Sequence, residues 1–232
     1  MVMYPYMQIL LISHSKVRID MSESVGDTVG GTIVLFLPGI SGKALSDRFL
    51  PLVTMVNEMG YSIARMEAWK DAGDVNTMTL RFLQNEILAV IEYLKGEGYT
   101  CIYAIGKSFG GGLLLSLHHE VLVKKILWAP AYMVDKEPRE KGNMVEMGDE
   151  VFGNLQGDAG IVLSQDFVHE DSADLYIVHG TADTVMSLDN SQTIIALAHT
   201  GSLRILEGAT HSFKTPEEER ALMSATGEFL RV

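Results

Sequence analysis

The sequence predicts an α/β protein: a mostly parallel sheet covered by helices on both faces. Three observations carry this. Continuous apolar runs such as Thr32-Ile33-Val34-Leu35-Phe36-Leu37 mark strands buried on both sides. Stretches of helical periodicity lie between them, the longest from Met78 to Lys95, where Leu80, Leu83, Ile87, Val90, Ile91 and Leu94 share one face. The two patterns alternate along the chain, as βαβ units require. At 232 residues and 47% apolar composition, the chain fits one such domain spanning 1–232.

Met7 to Ile12 and Lys16 to Met21 read as two antiparallel strands at the sheet edge, with Val17, Ile19 and Met21 alternating with polar partners. Met1 to Ile12 is apolar, but no Lys or Arg precedes it and no small-residue cleavage site follows. It is also too short to span a bilayer, so it reads as strand. Val25 to Gly31 is a turn region, and Thr32 to Leu37 is a central strand that ends at Pro38-Gly39. Asp47 to Met59 carries Phe49, Leu50, Val53 and Val56 on one helical face, and Gly60 caps it. Tyr61 to Met66 is the next strand, followed by the long helix, which Gly96 and Gly98 close. Thr100 to Ile105 is a strand, Leu113 to His118 lies in a helix, and Lys125 to Trp128 is a strand ended by Pro130. Residues 131–172 break the rhythm; short helices are expected there, one near Asp166 to Glu170. Leu175 to Val178 resumes the sheet, Asn190 to His199 is helical, and Leu203 to Leu206 is the last strand. Pro216 to Leu230 is the final helix: Pro216 suits its first turn, and Glu217, Glu218 and Glu219 suit the positive end of its dipole.

The chemistry concentrates at Gly106-Lys107-Ser108-Phe109-Gly110, a G-x-S-x-G between a predicted strand and a predicted helix. At that junction the motif is a nucleophile elbow. The turn is tight, so the residues two before and two after the serine must be very small, as Gly106 and Gly110 are. It lifts Oγ off the sheet and turns the first helical N–H groups towards whatever Oγ attacks. A serine hydroxyl needs a base to become a nucleophile. Two later segments supply candidates: Val178-His179-Gly180-Thr181-Ala182-Asp183 after a strand, and Glu207-Gly208-Ala209-Thr210-His211 after the last one. His211, in a loop past a strand end, suits the general base. Asp183 suits the acid that orients it. Asp189 is the substitute for Asp183, although Asp-Asn before a helix reads as a turn or cap. Of seven histidines, His179 reads as structural and His118 and His119 as surface or packing residues. An oxyanion hole would use the backbone N–H of Phe109 and, from the loop after Leu37, that of Ile40.

These segments, with Leu37-Pro38-Gly39-Ile40, resemble the α/β-hydrolase superfamily, and among its branches the small esterase-like and dienelactone-hydrolase-like members. The resemblance runs from about Thr32 to the C-terminus. It implies the order Ser, Asp, His found here, a cap inserted at 131–172, and hydrolysis through an acyl-enzyme. Dienelactone hydrolases proper use a cysteine nucleophile; Ser108 favours an ester over a lactone.

Other readings are weaker. Gly106-Lys107-Ser108 also ends a P-loop pattern, but the first glycine would fall at Cys101 and the intervening residues form a strand. No Cys/His/Asp cluster has metal-ligand spacing, and no cofactor is implied. Lys107 reads as a solvated neighbour of the nucleophile, Cys101 as buried packing, and Trp69 as a residue bordering the site mouth. Met144, Met147 and Phe152 are candidates for lining an acyl pocket in the cap. A net charge of −12 repels nucleic acid and anionic membrane surfaces alike. The single cysteine suits a reducing cytoplasm. The expected function is hydrolysis of a small-molecule ester. Thioester or amide and peptide substrates use the same three residues, and a non-catalytic binding protein on this scaffold is the reading from another class.

Overall fold

The computed structural model describes residues 6–12, 15–24, 31–75, 78–134, 161–163, 168 and 171–231. The strands in chain order are β1 (Tyr6–Ile12), β2 (Ser15–Ser22), β3 (Thr32–Leu37), β4 (Ser62–Glu67), β5 (Cys101–Lys107), β6 (Leu122–Trp128), β7 (Tyr132–Val134), β8 (Ile161–Leu163), β9 (Asp174–Gly180) and β10 (Gly201–Leu206). The helices are α1 (Leu50–Glu58), which follows a 3₁₀ turn at Asp47–Phe49, then α2 (Ala72–Val75), α3 (Leu80–Gly96), α4 (Phe109–Leu115), α5 (Leu188–Leu197) and α6 (Pro216–Arg231).

Eight strands form one sheet in the order β1-β2-β4-β3-β5-β6-β9-β10. The β1–β2 and β2–β4 pairs are antiparallel, and every other neighbouring pair in that sheet is parallel. The strand order reverses at β3, between β4 and β5. In an open parallel sheet that reversal leaves a crevice at the carboxyl ends of the strands. The loops after β3 and β5 therefore flank the crevice, and those after β9 and β10 lie along the same edge.

The run Thr32–Leu37 is buried throughout, yet its side chains part company by alternation. Ile33, Leu35 and Leu37 join α3 and α4 in one apolar cluster, while Val34 and Phe36 join α1 and α6 in the other. Period-2 geometry splits even an unbroken apolar run between two cores. Local signals set the helix ends: Thr79 Oγ1 accepts from Phe82 N at 3.0 Å before α3. Ahead of α6, Thr215 and Glu218 form a reciprocal capping box, at 2.9 and 3.2 Å.

Several boundaries differ from expectation. The helix after the elbow ends at Leu115, short of His118. Ser187, not Asp189, caps α5: its Oγ accepts from Asp189 N, and Asp189 sits in the first turn. The irregular segment contributes two three-residue strands, β7 and β8, which pair in parallel as a separate small sheet; runs that short carry no readable period. The expected cap otherwise lies outside the described residues. So do Met144, Met147 and Phe152, and so does the short helix near Asp166 to Glu170 except for Val168. Among the described residues no helix is long and apolar enough to cross a membrane.

Candidate active site

Ser108 occupies the residue between β5 and α4 with φ 48° and ψ −114°. A non-glycine residue held there stores about 1–3 kcal/mol of strain, so the surroundings must hold it. They do: Ser108 N donates to Trp128 O at 2.8 Å, and Ser108 O accepts from Gly112 N and Ala131 N at 3.0 and 2.9 Å. The flanking glycines are required by space. A Cβ on Gly106 would lie 2.7 Å from Gly111 Cα, and one on Gly110 would lie 2.4 Å from Pro38 O. Gly110→Ala is therefore expected to destabilise the fold by about 2–3 kcal/mol through overpacking. A urea midpoint equal to the parent's would show that the elbow yields more easily than this.

His211 stands against the elbow from the loop after β10. Its Nε2 lies 3.0 Å from Ser108 Oγ, and its Nδ1 lies 2.8 Å from Asp183 Oδ2. A carboxylate can only accept, so Nδ1 carries the hydrogen and Nε2 is left to accept from the serine hydroxyl. Asp183 follows β9, and its side chain is fully buried. Its Oδ1 accepts from Val185 N and Met186 N at 2.8 and 2.9 Å. Burial pushes the Asp183 carboxyl up. Hydrogen bonds from His179, His211 and Met186 N outweigh that and hold it far below the usual carboxylate range. Asp183 thus stays ionised at neutral pH.

Ser108, His211 and Asp183 are thus brought into one hydrogen-bonded chain. The loop after β3 packs beside it. A Cβ on Gly39 would lie 3.6 Å from Ser108 Cβ, and Pro38 O accepts from Gly110 N at 3.1 Å. Gly39 O accepts from Gly42 N at 3.0 Å and from Trp69 Nε1 at 3.2 Å. Ile40 lies within that turn, and Phe109 is the first residue of α4.

Three residues read otherwise in the sequence. Trp69 is buried rather than at a mouth: it braces the Gly39 turn and meets the Phe109 ring edge-on at 5.3 Å. His179 is fully buried and does more than pack. Its Nδ1 pairs with Ser191 Oγ at 2.7 Å, while its Nε2 faces Met186 O at 3.0 Å and Asp183 Oδ2 at 3.2 Å. The signal was its position four residues before Asp183 across a turn. Lys107 is buried, not solvated: its Nζ donates to the carbonyl of His211 at 3.2 Å. No local pattern reveals that, because its acceptor is 104 positions away. Cys101 is only half-buried. Among the described residues no group of three or more His, Cys, Asp or Glu side chains could hold a metal ion.

This sheet order, with a strained serine after β5, an acid after β9 and a histidine after β10, is the α/β-hydrolase fold. Comparison with solved structures agrees. Over 97% of both chains, the protein superposes on Est1E from Butyrivibrio proteoclasticus with a TM-score of 0.73 at 17% identity. A dienelactone hydrolase from Anabaena variabilis matches with a TM-score of 0.72 at 14% identity, covering 98% of this chain and 96% of that one. For the 2-hydroxy-6-oxo-6-phenylhexa-2,4-dienoate hydrolase of a Rhodococcus strain the figures are 0.72 and 14%, over 98% and 99%. No protein-family model and no curated protein sequence matches the chain.

Proposed function

We propose that the protein is a serine hydrolase that cleaves a carboxylic ester of a small molecule. The observation that carries this reading is the continuous chain Ser108 Oγ–His211–Asp183, at 3.0 and 2.8 Å, with the acid fully buried behind it. Ser108 Oγ attacks the ester carbonyl while His211 Nε2 takes its proton. The negative charge that forms on the carbonyl oxygen is met by the N–H groups of Phe109 and Ile40. The tetrahedral adduct collapses, the C–O bond to the leaving alcohol breaks, and His211 returns the proton to that alcohol. Water then attacks the acyl-serine with His211 again as base, releasing the acid and regenerating Ser108. Asp183 stays ionised throughout and holds the imidazole in the tautomer that can accept.

The structural neighbours support the reading, since two carry the name hydrolase and Est1E has also been solved with ferulic acid bound. The single cysteine supports work in a reducing compartment, the cytoplasm. The test is turnover of p-nitrophenyl esters from acetate to palmitate beside Ser108→Ala. The variant is expected to lose at least about 10⁴-fold in kcat, as removal of a serine nucleophile does elsewhere. A fluorophosphonate probe should label Ser108 in the parent alone. A folded parent that turns over no ester and resists the probe would overturn the reading.

A further inference from the structure

The chemistry above leaves one buried cation at its centre unused. Lys107 precedes the nucleophile in the elbow. It is only 8% exposed, and its Nζ donates to the His211 carbonyl at 3.2 Å. Arg48, from the turn before α1, donates to the next two carbonyls of the same loop, those of Ser212 and Phe213, the latter at 3.4 Å. On the other side of the histidine, Thr210 N donates to Glu218 Oε1 at 2.6 Å. Phe213 is buried with φ 47°, so the chain turns sharply just past the histidine. Three consecutive carbonyls at a surface turn would ordinarily be left to water. Here two cations from distant elements hold them.

We propose that Lys107 is a positioning residue for the His211 imidazole, acting with Arg48 as a clamp on the carbonyls of His211, Ser212 and Phe213. The inference rests on the serine-hydrolase reading. A general base must stand within hydrogen-bond reach of the proton it takes, and a displacement of about 1 Å can cost about 10²-fold in rate. His211 is carried by a loop, the least rigid kind of support. Through Lys107 the clamp ties that loop to the end of β5, and the nucleophile is the next residue. Ser108 and His211 thus share one mount, and their 3.0 Å spacing is set by neighbouring residues of a single strand end.

The charges around Lys107 make the clamp sensitive to pH. Burial pushes its ammonium down to about 8; Arg48 and Lys214 add repulsion, and Asp183 opposes them. Glu219 lines, with Arg48, Lys107 and Phe213, a small open cavity of about 20 Å³. Losing the Lys107 proton turns a charge-assisted bond into a neutral one of about half the strength. Turnover should therefore decline above about pH 8 for a reason separate from the triad.

The test is kcat and KM on a p-nitrophenyl ester, over about pH 6 to 10, for the parent, Lys107→Met, Lys107→Arg and Arg48→Gln. Amide hydrogen exchange of residues 208–215 runs beside it and needs no turnover. Lys107→Met is expected to lower kcat about 10–10²-fold with little change in KM, and to speed exchange in that segment about tenfold. Lys107→Arg should restore most of kcat and abolish the alkaline decline, because a guanidinium does not titrate there. If that variant does not fold, Arg48→Gln decides: relieved of repulsion, Lys107 holds its proton longer, and the decline moves to higher pH. A purely structural Lys107 would alter thermal stability and leave the pH profile in place. Unchanged kcat and unchanged exchange in Lys107→Met overturn the clamp, as does an alkaline decline that stays put in Arg48→Gln. A parent that turns over no ester and resists the fluorophosphonate probe, but whose loop exchange still responds to Lys107→Met, overturns the hydrolase reading and leaves the clamp standing.

Discussion

Asp183→Asn is expected to lower kcat about 10⁴-fold in a protein that remains folded. The reason is a count of donors. Asp183 Oδ1 accepts from Val185 N and Met186 N at 2.8 and 2.9 Å, and Oδ2 faces His211 Nδ1 and His179 Nε2 at 2.8 and 3.2 Å. Every contact is with a donor, which suits a carboxylate and no neutral group. An asparagine brings one oxygen and one NH₂. With its oxygen kept on the two backbone N–H groups, its NH₂ meets His211 Nδ1. The imidazole must then place its hydrogen on Nε2, where it can no longer take the Ser108 proton. Turned the other way, the NH₂ confronts two backbone N–H groups in a buried site, which costs about 1–3 kcal/mol. The measurement is kcat on an ester substrate beside a thermal unfolding curve. A loss of less than about tenfold in a folded variant would remove Asp183 from the role assigned to it.

The largest expected effect on stability lies away from that chemistry. Lys125, on β6, has a fully buried side chain whose Nζ donates to Leu117 O at 2.5 Å and to the Asp171 carboxylate. Burial pushes its ammonium below the usual lysine range, and Asp171 pulls the other way. Asp171→Ala strips the countercharge from a buried cation and should cost about 3–5 kcal/mol, or a fall in Tm of about 6–20 °C for a chain of this size. Lys125→Met should be far milder. The methionine fills the same apolar volume, and Asp171, with a side chain 12% exposed, keeps its bond from Ala173 N at 3.1 Å and its access to water. Equal losses in the two variants, measured by urea unfolding, would mean that the buried charge is not what the pair holds in check. Asp171 lies where the irregular segment re-enters the sheet, just before β9. The pair therefore also ties that entry to the centre of the molecule.

Most of the sheet was legible in the sequence because its signals are local. Unbroken apolar runs such as Thr32–Leu37 require burial on both faces, and helical spacing from Leu80 to Leu94 requires one buried face. The elbow was legible because its glycines flank Ser108 within five residues, although the space Gly110 leaves is for Pro38 O from the loop after β3. Strands β7 and β8 were not legible, since three residues apiece carry no period and their pairing is with each other rather than with the main sheet. The fate of charged side chains was the least legible part. Lys107 reads as a solvated surface residue, yet it is buried against a carbonyl 104 positions on. Asp20 reads as a polar partner in an alternating edge strand, yet it pairs with Arg65 in the interior across adjacent strands.

By itself, then, the sequence determined the element order, the small residues that flank Ser108 and the chain order of serine, acid and histidine, because each is written in a short stretch of the chain. Only the tertiary structure decided which charges lose their water. It set His211 against Ser108 across 103 positions, put a second histidine on Asp183, and drew Lys107 beneath the histidine loop. The free energy of a buried charge depends on the partners that packing brings to it, and those partners come from parts of the chain that no local pattern connects.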